Sequence, residues 1–147
     1  MRKKFSKALY QQNDALATGV IAGYLSQWGL VAEPNTDKYG VDLLVRKPDD
    51  KDYFLAVECE IKRVWHGPDF PYDTIQLPER KGKYRNTPHQ LEYWILNSDC
   101  SSVIIIPEFL LDQYEPVVVP NKYVRWGEKF YQIPMTECLL IQLGDSK

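Results

Sequence analysis

Cysteine and histidine are scarce in this chain, which limits the kinds of site that it can build. The three cysteines, Cys59, Cys100 and Cys138, lie far apart and form no Cys-x-x-Cys pair. An odd, scattered set of this kind argues against a disulfide framework and against a structural zinc site. With only two histidines, His66 and His89, a histidine-rich metal centre is not expected either.

Long apolar runs and internal repeats are absent as well. No apolar run is long enough to span a membrane, and the basic N-terminus lacks the apolar segment that follows in a signal peptide. No repeat or low-complexity segment is visible. These observations predict an intracellular, cytoplasmic protein that has no membrane partner.

Positive charge is not in excess. The formal net charge of −2 argues against tight, non-specific binding of DNA by the whole surface. It leaves room for a local basic patch beside an acidic metal site, because such a site itself contributes several carboxylates. The length of 147 residues fits a single domain, residues 1–147, and ten Tyr and four Trp supply bulk for its core.

Hydrophobic periodicity predicts one helix near the N-terminus, followed by short strands. Apolar residues recur at three- and four-residue spacing over 6–28, and Gly29 is well placed to end that helix in a left-handed conformation. After a short extended piece at 30–33, a strand is predicted at 41–46 and a stronger one at 53–64.

The rest of the chain is predicted to add further short β segments. Residues 65–85, rich in Gly, Pro and charge, predict a long irregular excursion, and 136–143 fit either a helix or a strand. A short helix is expected at 107–114, a turn at Gly127, and strands at 90–97, 102–106, 117–119, 123–126 and 129–133. This order indicates an α/β (α+β) fold, a single domain whose N-terminal helix packs on a mixed central β-sheet.

Three charged residues on the stronger strand are the main candidates for a functional site. Strand side chains alternate between faces, so Glu58, Glu60 and Lys62 are predicted to share one face, with Cys59 on the other. Two carboxylates on one face repel each other, and burying them is costly unless a cation is supplied. Lys62 would neutralise part of that charge, and a divalent metal ion would neutralise the rest.

Asp42 supplies a third carboxylate from the preceding strand. If 41–46 and 53–63 form an antiparallel hairpin, Asp42 is expected near Glu60 across the pair. Carboxylates, water and a substrate phosphate suit Mg²⁺, with Mn²⁺ as a substitute. Such an ion polarises the phosphate and lowers the pKa of a bound water, while a nearby lysine orients that water or stabilises developing charge. The predicted chemistry is metal-assisted phosphodiester hydrolysis.

In their order and spacing, these residues resemble the motif of the PD-(D/E)XK nuclease superfamily. A helix is followed by Gly40-Val41-Asp42 and then by Glu60, an intervening residue and Lys62. The resemblance implies a restriction-endonuclease-like core in which Asp42 and Glu60 bind the metal and Lys62 is the catalytic lysine.

The chain departs from that motif at one position and adds one acid. Val41 stands where the proline of the motif is expected. Glu58 is an extra acid on the same face, which would act in place of Glu60 or as an added metal ligand. In many members the first helix also contributes an acid, and Asp14 is the candidate for this accessory role.

Basic residues follow the motif. They are predicted to contact phosphates, and the interleaved Tyr72 and Tyr84 to stack on bases or sugars. The run of residues 65–97 is similar to nuclease-like proteins of phages and bacteria, which implies a phage or mobile-element context. The basic residues predicted to bind nucleic acid are Arg80, Lys81, Lys83 and Arg85.

These observations leave several functions open. The first is a metal-dependent endonuclease acting on DNA, with a homodimer as one option because two strands need two sites. The second is an inactive binding module or inhibitor on the same fold, acting through a protein partner, which the net charge of −2 favours slightly. An RNA nuclease ranks below both, since no RNA-recognition motif is present. Glu58, Glu60 and Lys62 could also form a solvated, salt-bridged face.

Overall fold

The N-terminal helix ends where the sequence predicts. In this computed structural model, which describes residues 7–36, 40–79, 89–119 and 127–143 (7–14 by their backbone only), helix α1 covers Lys7–Gln27. Gly29 follows with a φ of 78°. The Gly29 N–H donates to the Ser26 carbonyl at 3.0 Å and the Leu30 N–H to the Leu25 carbonyl at 3.2 Å. These two bonds form a Schellman motif, in which a glycine adopts the left-handed conformation without steric cost.

Short strands are the commonest elements in the rest of the described structure. Two 3₁₀ helices, Glu108–Gln113 and Met135–Glu137, lie between strands. The strands are β1 (Val31–Pro34), β2 (Leu43–Arg46), β3 (Leu55–Ile61), β4 (Thr74–Pro78), β5 (Gln90–Leu96), β6 (Ser102–Pro107), β7 (Val117–Val119), β8 (Glu128–Pro134) and β9 (Leu139–Gln142).

The strands form two sheets. The larger sheet has the order β1-β2-β3-β5-β6-β9, in which β3 and β5 are parallel and the other neighbours antiparallel. The smaller sheet is antiparallel, with the order β4-β8-β7. Parallel neighbours need a crossover connection, and β4 lies within the crossover that joins β3 to β5. The predicted mixed sheet and the predicted β2–β3 hairpin are both confirmed.

Side chains alternate between the two faces of the larger sheet, and both faces are covered, which gives three layers. One face packs on α1, through a buried cluster that includes Ile21, Val57 and Cys59. The other face packs on the smaller sheet, through a cluster that includes Tyr93 and Ile75. The described chain is therefore a mixed α+β fold with one helix packed on a mixed sheet.

Several predicted elements differ in detail. The prediction of an irregular 65–85 was wrong at Thr74–Pro78, because the short alternation of buried Ile75 and Leu77 is enough to form β4 against β8. The helix predicted at 107–114 is of the 3₁₀ type, and the ambiguous 136–143 divides into the end of a 3₁₀ turn and β9. The strand predicted at 123–126 lies outside the described residues. Of the helical segments within the described ranges, none has the length and apolar character that a membrane crossing requires.

Candidate functional site

Strand β3 directs its two glutamates to the face that the smaller sheet covers. Ala56 belongs to the cluster between the two sheets, whereas Val57 and Cys59 belong to the helix-side cluster. Because side chains alternate along a strand, Glu58 and Glu60 lie on the same face as Ala56. The structure therefore agrees with the prediction that these two acids share a face.

Burial decreases along this row of charged residues. Glu58 is only 6% exposed, while Glu60 and Lys62 are half-buried. The register with β5 places Glu58 beside the buried Tyr93. A carboxylate in such apolar surroundings must be hydrogen bonded, paired, neutralised or bound to a cation to offset its lost hydration. The row thus runs from a buried acid to a solvent-accessible lysine at the end of β3.

Lys62 lies just beyond β3, in backbone contact with β5. Its N–H donates to the Leu96 carbonyl at 2.8 Å, which extends the pairing of the two parallel strands by one step. Its own carbonyl accepts from the Trp65 N–H at 3.1 Å, and the chain turns away from the sheet there. These backbone bonds position Lys62 at the open end of the acid row.

Asp42 lies immediately before β2, level with the acids of β3. The antiparallel register pairs Leu43 with Val57, so the next step brings Asp42 opposite Glu58. Asp42 Oδ2 accepts a hydrogen bond from the Cys59 N–H at 2.8 Å. The sequence predicted Asp42 near Glu60; the register places Asp42 opposite Glu58, and the hydrogen bond holds its carboxylate at the backbone between the two glutamates. The physical reason is the hairpin register, which only the packing of both strands determines.

These carboxylates do not form a ready-made metal cage. Within residues 7–36, 40–79, 89–119 and 127–143, no three His, Cys, Asp or Glu side chains converge into a group that could hold a metal ion. Asp42, Glu58 and Glu60 occupy neighbouring positions on two paired strands. Their oxygen atoms are the hard ligands that Mg²⁺ and Mn²⁺ prefer, and a carboxylate that accepts one N–H retains capacity for a cation. The donor chemistry of the three residues fits such an ion.

The remaining predicted site residues fall outside the described part of the chain. The side chain of Asp14 is among them, although its backbone lies in α1, which packs against the other face of the sheet from Glu58 and Glu60. The predicted stacking residue Tyr84 and the four predicted phosphate contacts also lie there, namely Arg80, Lys81, Lys83 and Arg85. The basic segment starts shortly after Pro78, the last residue of β4.

A cleft opens beside Lys62. In β4, Ile75 and Leu77 are buried between the sheets, so Thr74 and Gln76 point outward. Together with the aromatic residues that precede β4, they form a cleft of about 290 Å³, lined by Lys62, Phe70, Tyr72, Thr74 and Gln76. The sequence identified Lys62 as a catalytic residue and Tyr72 as a stacking residue, but the other three lining residues were not predicted. The alternation of Thr74 and Gln76 with two buried apolar residues was the signal that could have identified them.

Aromatic packing supports the wall of this cleft. Trp65 is 1% exposed, and its indole N–H donates to the Asp69 carbonyl at 2.9 Å. Phe70 stands edge-on to Trp65, with ring centroids 5.4 Å apart, and Tyr72 is edge-on to Phe70 at 5.6 Å. This aromatic series runs from a fully buried indole to a solvent-exposed phenol.

Asn97 anchors the loop that carries the aromatic series. Its side chain is fully buried, and its Nδ2 donates to the Gly67 carbonyl at 2.8 Å. Its Oδ1 accepts from the N–H groups of Ser101 and Ser102, at 2.8 and 2.9 Å. One side chain therefore connects the segment after Lys62 to the turn between β5 and β6, which holds the cleft against the larger sheet.

An ion pair stabilises the β2–β3 hairpin, which Asp42 immediately precedes. Arg46 Nε donates to Glu33 Oε1 at 2.8 Å, and the Tyr53 hydroxyl donates to Glu33 Oε2 at 3.1 Å. The Arg46 hydrogen bond, with a smaller contribution from Tyr53, lowers the pKa of Glu33. The same contact with Glu33 raises the pKa of Tyr53. These contacts connect β1, β2 and the residue that leads into β3.

The arrangement combines a row of acids, a lysine at its open end and a cleft beside that lysine. The acids have the chemistry to bind a cation, and an anionic substrate in the cleft would lie beside Lys62. Comparison with known proteins finds no matching family model, no similar curated protein and no similar solved structure.

Proposed function

We propose that this protein is a Mg²⁺-dependent endonuclease that hydrolyses DNA phosphodiester bonds, with a restriction-endonuclease-like core of the PD-(D/E)XK type. The observation that carries the proposal is the hydrogen bond that holds the Asp42 carboxylate at Cys59, between Glu58 and Glu60. Lys62 follows on the same strand and lines an open cleft. The order of helix, aspartate strand and acid-x-lysine strand agrees with the sequence motif.

The three carboxylates would hold the ion. Asp42, Glu58 and Glu60 supply oxygen ligands, and the burial of Glu58 favours a bound cation because a buried carboxylate benefits most from one. When bound, Mg²⁺ polarises the phosphate and lowers the pKa of a coordinated water. Mn²⁺ is expected to substitute for it.

Lys62 would act on the phosphate from the open end of the row. Lys62 is half-buried, follows Glu60 by two residues and lines the cleft, so its ammonium group is accessible from there. There the charge would orient the attacking water or stabilise the negative charge that develops on the phosphate oxygens. A lysine provides this as a compact charge with three donors.

Basic residues after β4 would hold the DNA backbone. Arg80, Lys81, Lys83 and Arg85 follow β4 closely in the chain, and β4 forms one side of the cleft. Their charges would neutralise phosphates locally even though the net charge of the chain is −2. A cytoplasmic protein of phage or mobile-element origin that cuts DNA as a homodimer is consistent with this function.

The direct test is cleavage of labelled DNA with Mg²⁺ or Mn²⁺ at neutral to mildly alkaline pH. Glu60→Gln and Lys62→Ala should abolish cleavage without unfolding the protein. Glu92→Gln is a matched control, because Glu92 is also half-buried but lies on β5 and accepts the Trp94 indole N–H at 2.9 Å. Lys47→Ala, in the exposed hairpin loop, is the control for Lys62. Absence of cleavage on single-stranded, duplex and branched DNA would remove the proposal.

A catalytically inactive binding module or inhibitor remains the second candidate. The observation that favours it is the net charge of −2, because an acidic surface suits a protein partner better than it suits DNA. Calorimetry that detects no Mn²⁺ binding, together with a stable complex with a protein partner, would support this function. Parallel digestion of labelled DNA and RNA would identify an RNA nuclease.

A further inference from the structure

The cleft beside Lys62 has one exposed aromatic wall. Tyr72 is 65% exposed, although it sits edge-on to Phe70 with ring centroids 5.6 Å apart and an interplanar angle of 70°. Phe70 is in turn held edge-on by the buried Trp65. The phenol ring of Tyr72 is therefore supported from one side while most of its surface is accessible. An exposed, supported aromatic ring is a surface on which a planar group can stack.

The lining of the same cleft also offers hydrogen-bonding groups. Thr74 and Gln76 point outward from β4 because their neighbours Ile75 and Leu77 are buried. A threonine hydroxyl donates and accepts, and a glutamine amide presents two donors and one acceptor oxygen. The pairing edge of a nucleobase has the same mixture of donors and acceptors. The cleft thus offers a stacking surface, polar groups and, at Lys62, a positive charge.

The size of the cleft limits what can enter it. Its volume of about 290 Å³ is at the lower end of the range for small-molecule sites. A helix or a DNA duplex is too wide for such a space. A paired base also has both its faces stacked and its pairing edge engaged, so only an unpaired base could use the aromatic and polar walls.

We propose that this cleft binds one unpaired base of a DNA strand, next to the phosphate that lies at Lys62. The preferred substrate is then DNA that contains a single-stranded segment, such as a flap, a gap or a free end. The position of the cut phosphate rests on the proposed nuclease function, but base binding itself requires neither metal nor cleavage.

The test is binding of the full-length chain to fluorescein-labelled oligothymidylate, followed by fluorescence anisotropy in EDTA so that no cleavage occurs. A blunt duplex of the same length is the comparison, and the wild-type protein should bind the single strand more tightly. Tyr72→Ala should weaken binding to the single strand about tenfold or more, the usual effect of losing one base-stacking ring. Tyr72→Trp should bind at least as well as the wild type, because it retains an aromatic face.

Trp28→Ala is the matched control. Trp28 is 70% exposed at the end of α1, on the other side of the larger sheet from the acids, so this variant should bind like the wild type. Gln76→Ala should reduce the difference in affinity among oligomers of the four bases. Tyr72→Ala protein that binds oligothymidylate as tightly as the wild type would overturn the proposal, and so would equal affinity for single strand and duplex.

Failure of this inference can be distinguished from failure of the nuclease proposal. If the protein never cleaves DNA but its binding to oligothymidylate depends on Tyr72, base binding stands and the nuclease proposal fails. If the protein cleaves DNA and both binding and the KM of cleavage are unchanged in Tyr72→Ala, the nuclease proposal stands and base binding fails. With both correct, Tyr72→Ala should raise the KM while Lys62→Ala mainly lowers kcat.

Discussion

The Asp42 carboxylate accepts a hydrogen bond from the backbone N–H of Cys59 at 2.8 Å, at the point where β2 begins and β3 continues beyond it, paired with β5 only. If β2 extended further, one of its backbone carbonyls would accept the Cys59 N–H. The Asp42 side chain accepts this hydrogen bond instead. The same contact holds Asp42 between Glu58 and Glu60. One residue therefore has a structural role in the hairpin and a proposed role in metal binding, and substitutions can separate the two.

Replacement of Asp42 should separate stability from activity. Asp42→Ala leaves the N–H of the buried Cys59 without this acceptor, which should lower the free energy of unfolding by about 1–3 kcal/mol. Asp42→Asn keeps an oxygen that can accept the same N–H, so its loss should be smaller. Both variants should lose Mg²⁺-dependent cleavage, because neither retains the charge. Urea unfolding and DNA cleavage measure the two effects, and an Asn variant that cleaves normally would contradict the metal-binding role.

Asn97 should be among the most sensitive polar positions. It is fully buried, and it bonds the Gly67 carbonyl and the N–H groups of Ser101 and Ser102. Asn97→Ala leaves these groups short of partners, so the free energy of unfolding should fall by about 2–4 kcal/mol. Gln113→Ala, at an exposed position, is the control. Urea unfolding is the measurement, and a loss below about 0.5 kcal/mol would contradict the anchoring role.

The Glu33–Arg46 pair predicts how the stability of the fold changes as the pH falls. The hydrogen bond from Arg46, and to a lesser degree that from Tyr53, lowers the pKa of Glu33 in the folded protein. A carboxyl whose pKa is depressed by folding stabilises the fold above its unfolded pKa, and this contribution is lost as pH falls through the folded pKa. The stability difference between wild type and Glu33→Gln should be constant near neutral pH and should shrink below a pH of about 4.3. Urea unfolding across the acid range measures it; a difference that grows with acidification would contradict the assignment.

The hydrogen bond between Tyr114 and Glu137 predicts that the stability of the fold also depends on pH in the alkaline range. The hydrogen bond between the Tyr114 hydroxyl and Glu137 Oε2 raises the pKa of Tyr114 to about 12. A tyrosine pKa raised by folding stabilises the fold below the unfolded value of about 10, and this contribution disappears as pH rises to the folded value. Glu137→Gln should move the titration of Tyr114 back toward the ordinary value. Tyrosinate absorbance, with Tyr114→Phe subtracted to isolate this ring, measures the shift. An unchanged titration in Glu137→Gln would show that Glu137 is not the cause.

Local features of the sequence were sufficient to predict several elements. Gly29 ends α1 as expected, because a left-handed residue at a helix end depends on the glycine itself. The acids Glu58 and Glu60 share a face because a two-residue period is a property of any strand. The β2–β3 hairpin was also predictable, since two short apolar runs flank a loop rich in Asp and Pro.

Features that depend on distant segments were not predictable in the same way. Strand β4 was hidden within a segment rich in Gly, Pro and charge, because its two buried residues gain their stabilisation only from packing against β8 and the larger sheet. The hydrogen bond between the Cys59 N–H and the Asp42 carboxylate follows from the register of β2 on β3, which places Asp42 opposite Glu58.

The sequence by itself determined which residues turn, which form the helix and which charged residues share one side of a strand, because each depends on conformational preferences within a few residues. Only the tertiary structure decided that Glu58 is buried while Lys62 meets a cleft, and that Tyr72 and Gln76 line that cleft. The reason is that burial and register are set when the two sheets exclude water between them, and the segments that do so lie far apart in the chain.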